Sequence, residues 1–369
     1  MNEIRTSWRH FDFWLLGAVA ILSIFGIAMI RSAIAGNIEL TEANAVLRQI
    51  IFVVVGFAVV MVTTAIDYHL WSSVSRLIYL GMAILLGVLF VVGAAFFGSA
   101  RWFDTGIILI QPSELAKIVI IIVLADFFTR HKGEIGDLRV VARSLIMTIG
   151  IVVWIILQPN LSTSIVIMVI WFALLWVSGL KLKHLAIFAG LAVIVPIIGF
   201  PFLAEYQQQR VYNFVFPDPE ARYGDIYNIE QALVSIGSGG LFGKGYNLGT
   251  QVQLRFLKIR VSDYIFAAMG EEWGFVGTVL IMLLILFVVY RCLRAARLAK
   301  DTFGALLCYG VATLIAFQAM VNIGVNLRLV PATGLPLPFI SYGGSSMLSL
   351  LLGIGLVESV ILRQKSLEF

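Results

Sequence analysis

Ten long runs of apolar residues constrain this chain more than any other feature of its sequence. A helix crosses a hydrocarbon core of about 30 Å with roughly 20 mostly apolar residues. We therefore predict an all-α polytopic membrane protein with about ten transmembrane helices, and the composition agrees, since hydrophobic residues make up 60% of the chain and charged residues 13%. The runs cover approximately residues 13–30, 50–66, 77–97, 115–128, 144–157, 163–177, 185–203, 264–290, 303–325 and 340–362.

The distribution of Lys and Arg predicts the orientation of these helices. With the N-terminus inside, the inner segments carry fifteen of the 26 Lys and Arg residues. Because cytoplasmic segments carry an excess of these residues, both termini are predicted to be cytoplasmic. This excess also accounts for the net charge of +5, so a membrane lipid surface is the expected anionic partner and no nucleic acid is needed. The short outer segments carry four, namely Arg31, Arg48, Arg101 and Arg328.

One long segment, residues 204–262, interrupts an otherwise compact bundle. It lies between the seventh and eighth predicted helices, and the topology places it outside the cell as an extracellular loop of a single domain, residues 1–369. Loops this long inside a compact domain are often functional. It contains six glycines between Gly237 and Gly249, together with Lys244. Such a run lets backbone N–H groups approach a ligand closely, although it lacks the residue order of a nucleotide-binding P-loop.

Several polar residues at predicted helix ends have both a structural and a functional interpretation. Glu114 and Lys117 share one helix face at i, i+3, either as a structural ion pair or with Lys117 facing a polar cavity. Asn160 or Ser162 can cap the following helix, and Ser262 or Asp263 can cap the eighth. Residues 322–346 combine three prolines with small residues at a membrane edge, which favours either close packing or the wall of a watery cavity.

Taken together, these stretches resemble the RodA/FtsW (SEDS) family of cell-wall polymerases. The matches follow the family order over most of the chain, and the wording of the glycine run is closer to the RodA elongation branch than to the FtsW division branch. They are RW at 101–102, QPSELAK at 111–117, QP at 158–159, IGSGGLFGKG at 236–245, DYIFA at 263–267, EE at 271–272, NIG at 322–324 and PLPFISYGGSS at 336–346.

The resemblance implies a peptidoglycan glycosyltransferase in the bacterial cytoplasmic membrane. It would polymerise lipid II, an undecaprenyl-pyrophosphate disaccharide-pentapeptide, with a class B penicillin-binding transpeptidase as partner. A pyrophosphate leaves as a stable anion, so one general base and several cations suffice. We predict Asp263 as that base. No metal-ligand set is identified and no cofactor is required, although the chemistry is compatible with a divalent cation. The candidate substrate-binding residues are Arg101, Glu114, Lys117, Arg210, Lys244, Arg255, Asn322 and Ser341.

Three departures from the family pattern qualify the resemblance. The family usually has Asp at the position of Asn160 and Gly at that of Ser162. Residues 257–262 read LKIRVS, where the family usually has Leu-Pro-Glu-His-His-Thr, so the segment before Asp263 is more cationic than usual. We expect Arg255, Lys258 and Arg260 to hold the Asp263 carboxylate ionised and to offset the charge of the pyrophosphate. Two other hypotheses compete with the enzyme. One is a transporter, such as a lipid II flippase, and the other is a non-catalytic scaffold for a transpeptidase. Transporters commonly place polar sites near the bilayer midplane, whereas polar residues here gather in the outer loops.

Overall fold

The computed structural model describes residues 10–34, 44–96, 102–104, 109–217, 224–257 and 260–364, and all structural statements concern these residues. Most of them form α-helices. In chain order these are α1 (Phe13–Ala33), α2 (Ala45–Ala65), α3 (His69–Ser73), α4 (Ser75–Phe96), α5 (Pro112–Arg130), α6 (Leu138–Leu157), α7 (Leu161–Val177), α8 (Leu182–Gly199), α9 (Glu205–Val215), α10 (Gly224–Ser238), α11 (Thr250–Gln253), α12 (Ile265–Leu298), α13 (Thr302–Asn326) and α14 (Gly344–Leu362).

Each of the ten predicted apolar runs coincides with a long helix of this fold. In the described residues, six of these helices are long and apolar enough to cross a membrane by length and composition, namely α1, α2, α6, α12, α13 and α14. Shorter apolar stretches lie in α4 and α7. Helix α5 is not among these six helices, and four charged residues lie along it, namely Glu114, Lys117, Asp126 and Arg130.

Two regions depart from a simple bundle of long helices. Strands β1 (Phe103–Asp104) and β2 (Leu109–Ile110) form a small antiparallel pair just before α5, with Phe103 opposite Ile110. The predicted outer loop is also not a plain loop, because its described residues form α9, α10 and α11. Helix α10 packs against α12, so this region is attached to the bundle.

The core of the bundle is built around its C-terminal helices. In the most apolar stretch of α14, 89% of the residues are buried. The corresponding share in α2, which packs extensively against α14, is 28%. Helix α13 lies between α12, α5 and α7. A helix enclosed in this way buries most of its circumference, whereas α2 has one exposed side. The end of α13 and the start of α14 therefore lie between neighbouring helices.

Helix α12 is not one continuous helix, because Gly274 breaks it with φ 66° and ψ −166°. The apolar run over residues 264–290 predicted one span, and α12 is long and apolar enough to be one, but the run gave no sign of this break. Residues 265–273 form a short segment that is buried except for Trp273, and residues 275–298 form the long helix that follows it. A left-handed φ of this kind is open to glycine at little cost, which explains why the break falls on Gly274.

The glycine run of residues 239–245 fills the break in α12. The N–H groups of Phe275 and Val276 donate to the carbonyls of Gly240 and Leu241, at 2.9 and 3.0 Å. In the other direction, the N–H group of Lys244 donates to the Glu271 carbonyl at 2.9 Å. The glycines were expected to let backbone N–H groups approach a ligand. In the structure they let the loop approach a helix, and the N–H groups of Lys244 and Gly245 donate to that helix.

Candidate active site

Asp263 lies directly before α12, where the end of α13 holds its main chain. The side-chain amides of Asn322 and Asn326 donate to the Asp263 carbonyl at 3.0 and 2.9 Å. The Asn326 side-chain oxygen accepts from the Ala267 N–H at 3.0 Å. The two asparagines are four residues apart on one helix face and are both buried, so α13 fixes the start of α12 with two adjacent amides.

The segment between α13 and α14 forms a second support for Asp263. The Ser341 hydroxyl donates to the Ser262 carbonyl at 2.6 Å and accepts from the Leu337 N–H at 2.8 Å. Asn322 also donates to the Leu335 carbonyl at 2.8 Å. The proline-containing segment is therefore packed in protein beside Asp263, as non-helical backbone at membrane depth must be unless it lines a cavity.

The Asp263 carboxyl group lies at a half-buried position next to this segment. Gly334 has φ 74°, and a Cβ atom built on it would lie 3.6 Å from Asp263 Oδ2. The interpretation of Ser262 or Asp263 as a helix cap is wrong. Helix α12 starts at Ile265, its N-cap position is Tyr264, and no side chain makes a capping bond there. Asp263 is thus one residue outside the cap.

Glu114 and Lys117 form the ion pair that their spacing predicts, with Lys117 Nζ 2.7 Å from Glu114 Oε2. The Lys117 side chain has no exposed surface in this structure, and the Glu114 carboxyl group is 6% exposed. The Ser349 hydroxyl donates to the Glu114 carbonyl at 2.7 Å, and the Gln111 N–H donates to the Ser345 hydroxyl at 2.9 Å. The start of α5 is therefore tied to the start of α14, which directly follows the segment that supports Asp263.

The two family departures at the start of α7 have defined contacts. Asn160 caps α7, as predicted, by accepting from the Thr163 N–H at 3.3 Å, and it donates to the Ser113 hydroxyl at 3.3 Å. Ser162 donates to the carbonyl of Thr333, which precedes Gly334. The Asn160 amide therefore serves as the cap of α7, and the Ser162 hydroxyl makes a bond to the segment beside Asp263.

The predicted phosphate-binding cations lie in different places. Arg210 lines a small cleft with Arg328 and Glu230, and its guanidinium lies 5.7 Å from the Tyr206 ring centre. The cleft also includes Ala332, two residues before Gly334. Arg101 and Lys258 lie outside the described residues, so their positions stay predictions.

The remaining cations before Asp263 differ in exposure. Arg255 is exposed with a left-handed φ of 61°. Arg260 is 3% exposed and donates to the main-chain carbonyls of Ala33 and Leu257. Burial lowers the pKa of the Arg260 guanidinium, and the nearby charge of Arg255 lowers it further. Arg260 therefore anchors the loop to the end of α1.

Lys244 belongs to a separate network built around Glu271. Its Nζ atom lies 2.7 Å from Glu271 Oε1 and 2.8 Å from the Thr250 hydroxyl. The N–H groups of Gln251 and Val252 also donate to the Glu271 carboxylate, at 2.9 and 3.3 Å. This network fastens α11 and the glycine run to α12, eight residues beyond Asp263.

The candidate site residues identified from the sequence did not include Asn326 or Arg328. A second buried amide four residues after Asn322 is a signal that could have identified Asn326, because both fall on one face at the end of an apolar helix. Arg328 has a left-handed φ of 56° and enters the Arg210 cleft, and neither property is visible in the residue order. Among the residues that the structure describes, no three His, Cys, Asp or Glu side chains form a group that could hold a metal ion.

Comparison with known proteins agrees with this arrangement over nearly the whole chain. The family model for FtsW, RodA and SpoVE, described as cell cycle protein, matches residues 13–366. Peptidoglycan glycosyltransferase MrdB of Escherichia coli K12 is 33% identical over 99% of this chain and 97% of its own length. Stage V sporulation protein E of Bacillus subtilis is 34% identical over 85% of this chain and 86% of its own.

Solved structures show the same fold. A chain from a study of how a peptidoglycan synthase complex coordinates polymerization and crosslinking superposes with a TM-score of 0.81, at 28% identity over 96% of this chain and 99% of that one. The rod shape determining protein RodA of Thermus thermophilus has a TM-score of 0.70 at 28% identity, over 96% of this chain and 98% of its own. The sequence motifs, the helices and both kinds of relative agree, and the chain belongs to the FtsW/RodA/SpoVE family.

Proposed function

We propose that this chain is a peptidoglycan glycosyltransferase that polymerises lipid II into glycan strands in the bacterial cytoplasmic membrane, with Asp263 as the general base. The observation that carries the proposal is the position of Asp263. The main chain around it is held by α13 and by the segment before α14, and its carboxyl group lies at a half-buried position. Full-length relatives named peptidoglycan glycosyltransferase favour this activity over the flippase and scaffold hypotheses.

In the proposed reaction, a sugar hydroxyl of the acceptor attacks the anomeric carbon of the donor lipid. The hydroxyl proton passes to the Asp263 carboxylate while the new glycosidic bond forms. The bond from the anomeric carbon to the undecaprenyl pyrophosphate breaks, and its electron pair leaves with the phosphate oxygen, so the anomeric centre is inverted. The pyrophosphate needs cations rather than a general acid, and Arg210 and Arg255 are the proposed cations among the described residues.

The buried Glu114–Lys117 pair is proposed to support the substrate site by positioning the start of α5. Lys117 has no exposed surface and pairs with Glu114, so a direct phosphate contact would require this region to open. In the observed arrangement the Glu114 carbonyl accepts from the Ser349 hydroxyl, which ties the start of α5, where the pair lies, to α14. The Lys244 ammonium group is already paired with Glu271, and its side chain is 28% exposed. We propose that Lys244 contacts substrate only from this exposed side, while the ion pair stays in place.

The proposed topology has ten transmembrane helices, both termini in the cytoplasm and residues 204–262 outside. The excess of Lys and Arg on the predicted inner side supports it. A cysteine at Gln209, which is exposed, should react with an impermeant thiol reagent on intact spheroplasts. A cysteine at the exposed Lys300 should react only after lysis, and the native Cys292 and Cys308 are buried and give little background. The reverse labelling pattern would invert the topology.

A class B penicillin-binding transpeptidase is the proposed partner. The support is the structural neighbour studied within a complex that couples polymerization to crosslinking. Co-purification from native membranes in mild detergent should recover both proteins. Recovery of this chain alone with full activity would remove the need for an obligate partner.

The activity itself is tested with purified protein in nanodiscs and fluorescent lipid II. A ladder of glycan polymer on a gel, absent with empty nanodiscs, is the expected result. Movement of lipid II across vesicle membranes without polymer would identify a flippase instead. Neither polymer nor movement, in a preparation that also contains the partner, would favour the scaffold.

A further inference from the structure

A cleft at the other end of α12 from Asp263 has a composition suited to an anionic lipid. It has a volume of about 340 Å³ and lies between the first turn of α1, the last turns of α12 and the end of α14. This is within the usual size of a small-molecule site. The residues that line it are His10, Phe11, Asp12, Phe13, Trp14, Arg291, Arg294, Ala295, Leu298, Ile361 and Gln364.

The cleft is basic at its polar end. Arg291 donates to the Asp12 carboxylate through Nε at 2.7 Å and also through Nη2, which holds the guanidinium in place beneath the cleft. Arg294 lies one turn further along α12 and is exposed, as is His10. Among the described residues that line the cleft, Asp12 is the one carboxylate, and Arg291 already pairs with it. Glu358 lies below, fully buried, and accepts from the Asp12 N–H at 3.1 Å.

The other end of the cleft is apolar and open to the surroundings of the bundle. Phe13 and Trp14 are 72% and 74% exposed, although they stand in the first turn of a membrane-spanning helix. Exposed aromatic side chains at a helix end are typical of the membrane–water interface, where the ring contacts acyl chains near the headgroups. Ala295 and Ile361 continue the apolar wall. A ligand with an anionic head and an apolar tail matches both ends at once.

The position of the cleft separates it from the proposed catalytic site. Residues 275–291 of α12 span about 24 Å along the helix axis at 1.5 Å per residue, and Asp263 lies beyond the break at Gly274. The two sites therefore lie near opposite surfaces of a hydrocarbon core of about 30 Å. A lipid headgroup held beside Asp263 therefore cannot also lie in this cleft.

We propose that this cleft binds the phosphate headgroup of an anionic membrane phospholipid, with Arg294 and Arg291 at the phosphate and Trp14 against the acyl chains. Basic pockets between transmembrane helices are a known way of holding such headgroups. A free phosphate ion would share the polar contacts but would gain nothing from Phe13 and Trp14.

Native mass spectrometry of the delipidated full chain tests this proposal with three probes: dioleoylphosphatidylglycerol, dioleoylphosphatidylcholine and inorganic phosphate. We expect a one-to-one adduct with the anionic lipid at concentrations about tenfold below those needed for the zwitterionic lipid. Arg294→Gln should weaken the anionic adduct about tenfold, the usual effect of losing one charged hydrogen bond. Arg297→Gln is the matched control, because Arg297 is also exposed on α12 but is not among the residues that line the cleft.

Trp14→Ala is the second variant, and it should weaken binding of the lipid without changing any binding of phosphate. Equal weakening by Arg294→Gln and Arg297→Gln would overturn the proposal in favour of diffuse attraction. Equal binding of the two lipids would overturn the headgroup assignment. Phosphate that displaces the lipid completely, with no effect of Trp14→Ala, would reassign the cleft to a free anion. Equal thermal unfolding midpoints establish that the variants compared are folded.

Discussion

Asp263 and Glu271 are two carboxylates eight residues apart at the same short helical segment, and the protein treats them differently. Glu271 has no exposed surface, and its two oxygens accept from an ammonium group, a hydroxyl and two backbone N–H groups. Asp263 is half-buried, and the amides of Asn322 and Asn326 hold it by its main-chain carbonyl. Glu271 is enclosed at its carboxylate, whereas Asp263 is held at its main-chain carbonyl in a partly exposed position.

This difference separates a structural carboxylate from a candidate catalytic one. A carboxylate that accepts several hydrogen bonds and has no exposed surface is stabilised in its charged form and lies out of reach of a substrate, so it is a poor base. A general base must lie within hydrogen-bond reach of the hydroxyl that loses the proton. Asp263 is half-buried rather than enclosed, and Asn322, Asn326 and Ser341 hold the main chain beside its carboxyl group. The comparison therefore predicts that removing the charge of Asp263 affects the reaction, whereas removing that of Glu271 affects stability.

The largest expected effect is that of Asp263→Asn on polymer formation. Asn has nearly the same size and can preserve the backbone bonds from Asn322 and Asn326, but it cannot accept the proton. Polymerisation of lipid II should fall by about 10²–10⁴-fold, while the thermal unfolding midpoint and lipid II binding stay close to those of the native protein.

Asp137→Asn is the matched control for that substitution. Asp137 caps α6 by accepting from the Arg139 N–H at 2.9 Å, and Asn caps helices about as well as Asp. Its polymerisation rate should be unchanged. Near-normal polymer formation by Asp263→Asn would end the assignment of Asp263 as base.

The second effect concerns Glu271→Gln and is one of stability. The change leaves Lys244 without its charged partner and places an amide against backbone donors, so the free energy of unfolding should fall by about 3 kcal/mol. Thermal unfolding in nanodiscs measures it. Lys244→Gln and the double variant complete a cycle, in which the double variant should cost less than the sum. Loss of polymerisation without loss of stability would make Glu271 part of the reaction, and it would contradict the structural role assigned to Glu271.

A third prediction tests whether the glycine run supports the Glu271 side of this segment. A Cβ atom at Gly239 would lie 1.9 Å from the Gly270 carbonyl oxygen, which is too close without backbone movement. Gly239→Ala should therefore lower the free energy of unfolding by about 1–3 kcal/mol. At Gly237, in α10, a Cβ atom meets nothing within 4 Å, so Gly237→Ala should leave stability unchanged or raise it by up to about 1 kcal/mol. Equal effects at the two positions would contradict the packing account.

The sequence predicted those parts of the molecule that lipid dictates. Helices in all ten apolar runs, the Glu114–Lys117 pair and the Asn160 cap follow from composition or from local spacing, and the structure contains each of them. The break at Gly274 was not predictable in this way. The apolar pattern continues across it, and its cause lies in the distant residues 239–245.

The surroundings of Asp263 were only partly predictable for the same reason. Asn322 and Ser341 were candidates through the resemblance, but their contacts are with main-chain carbonyls, and such contacts depend on how α12 and α13 pack. The glycine run was expected to approach a ligand. Its composition shows that its backbone can pack closely against another group, but composition does not identify that group, which is α12. Arg260 was expected to act on Asp263 or on pyrophosphate, a role that stays a prediction, and its burial against Ala33 needed the fold.

The smallest expected effect is that of Ser162→Ala, and it tests the Asp263 side of the comparison. The Ser162 hydroxyl donates to the Thr333 carbonyl, next to Gly334 and the Asp263 carboxyl group. Its loss should change the free energy of unfolding by about 0.5–1.5 kcal/mol. It should also lower polymerisation less than tenfold, because Asn322, Asn326 and Ser341 still hold the main chain at Asp263.

Ser178→Ala, at the other end of α7, is the control. The Ser178 hydroxyl donates to the Leu174 carbonyl of the same helix at 2.7 Å. A lower rate for Ser162→Ala than for Ser178→Ala, at similar stability, would show that the segment before α14 orients Asp263. Equal rates would confine that role to the amides of α13.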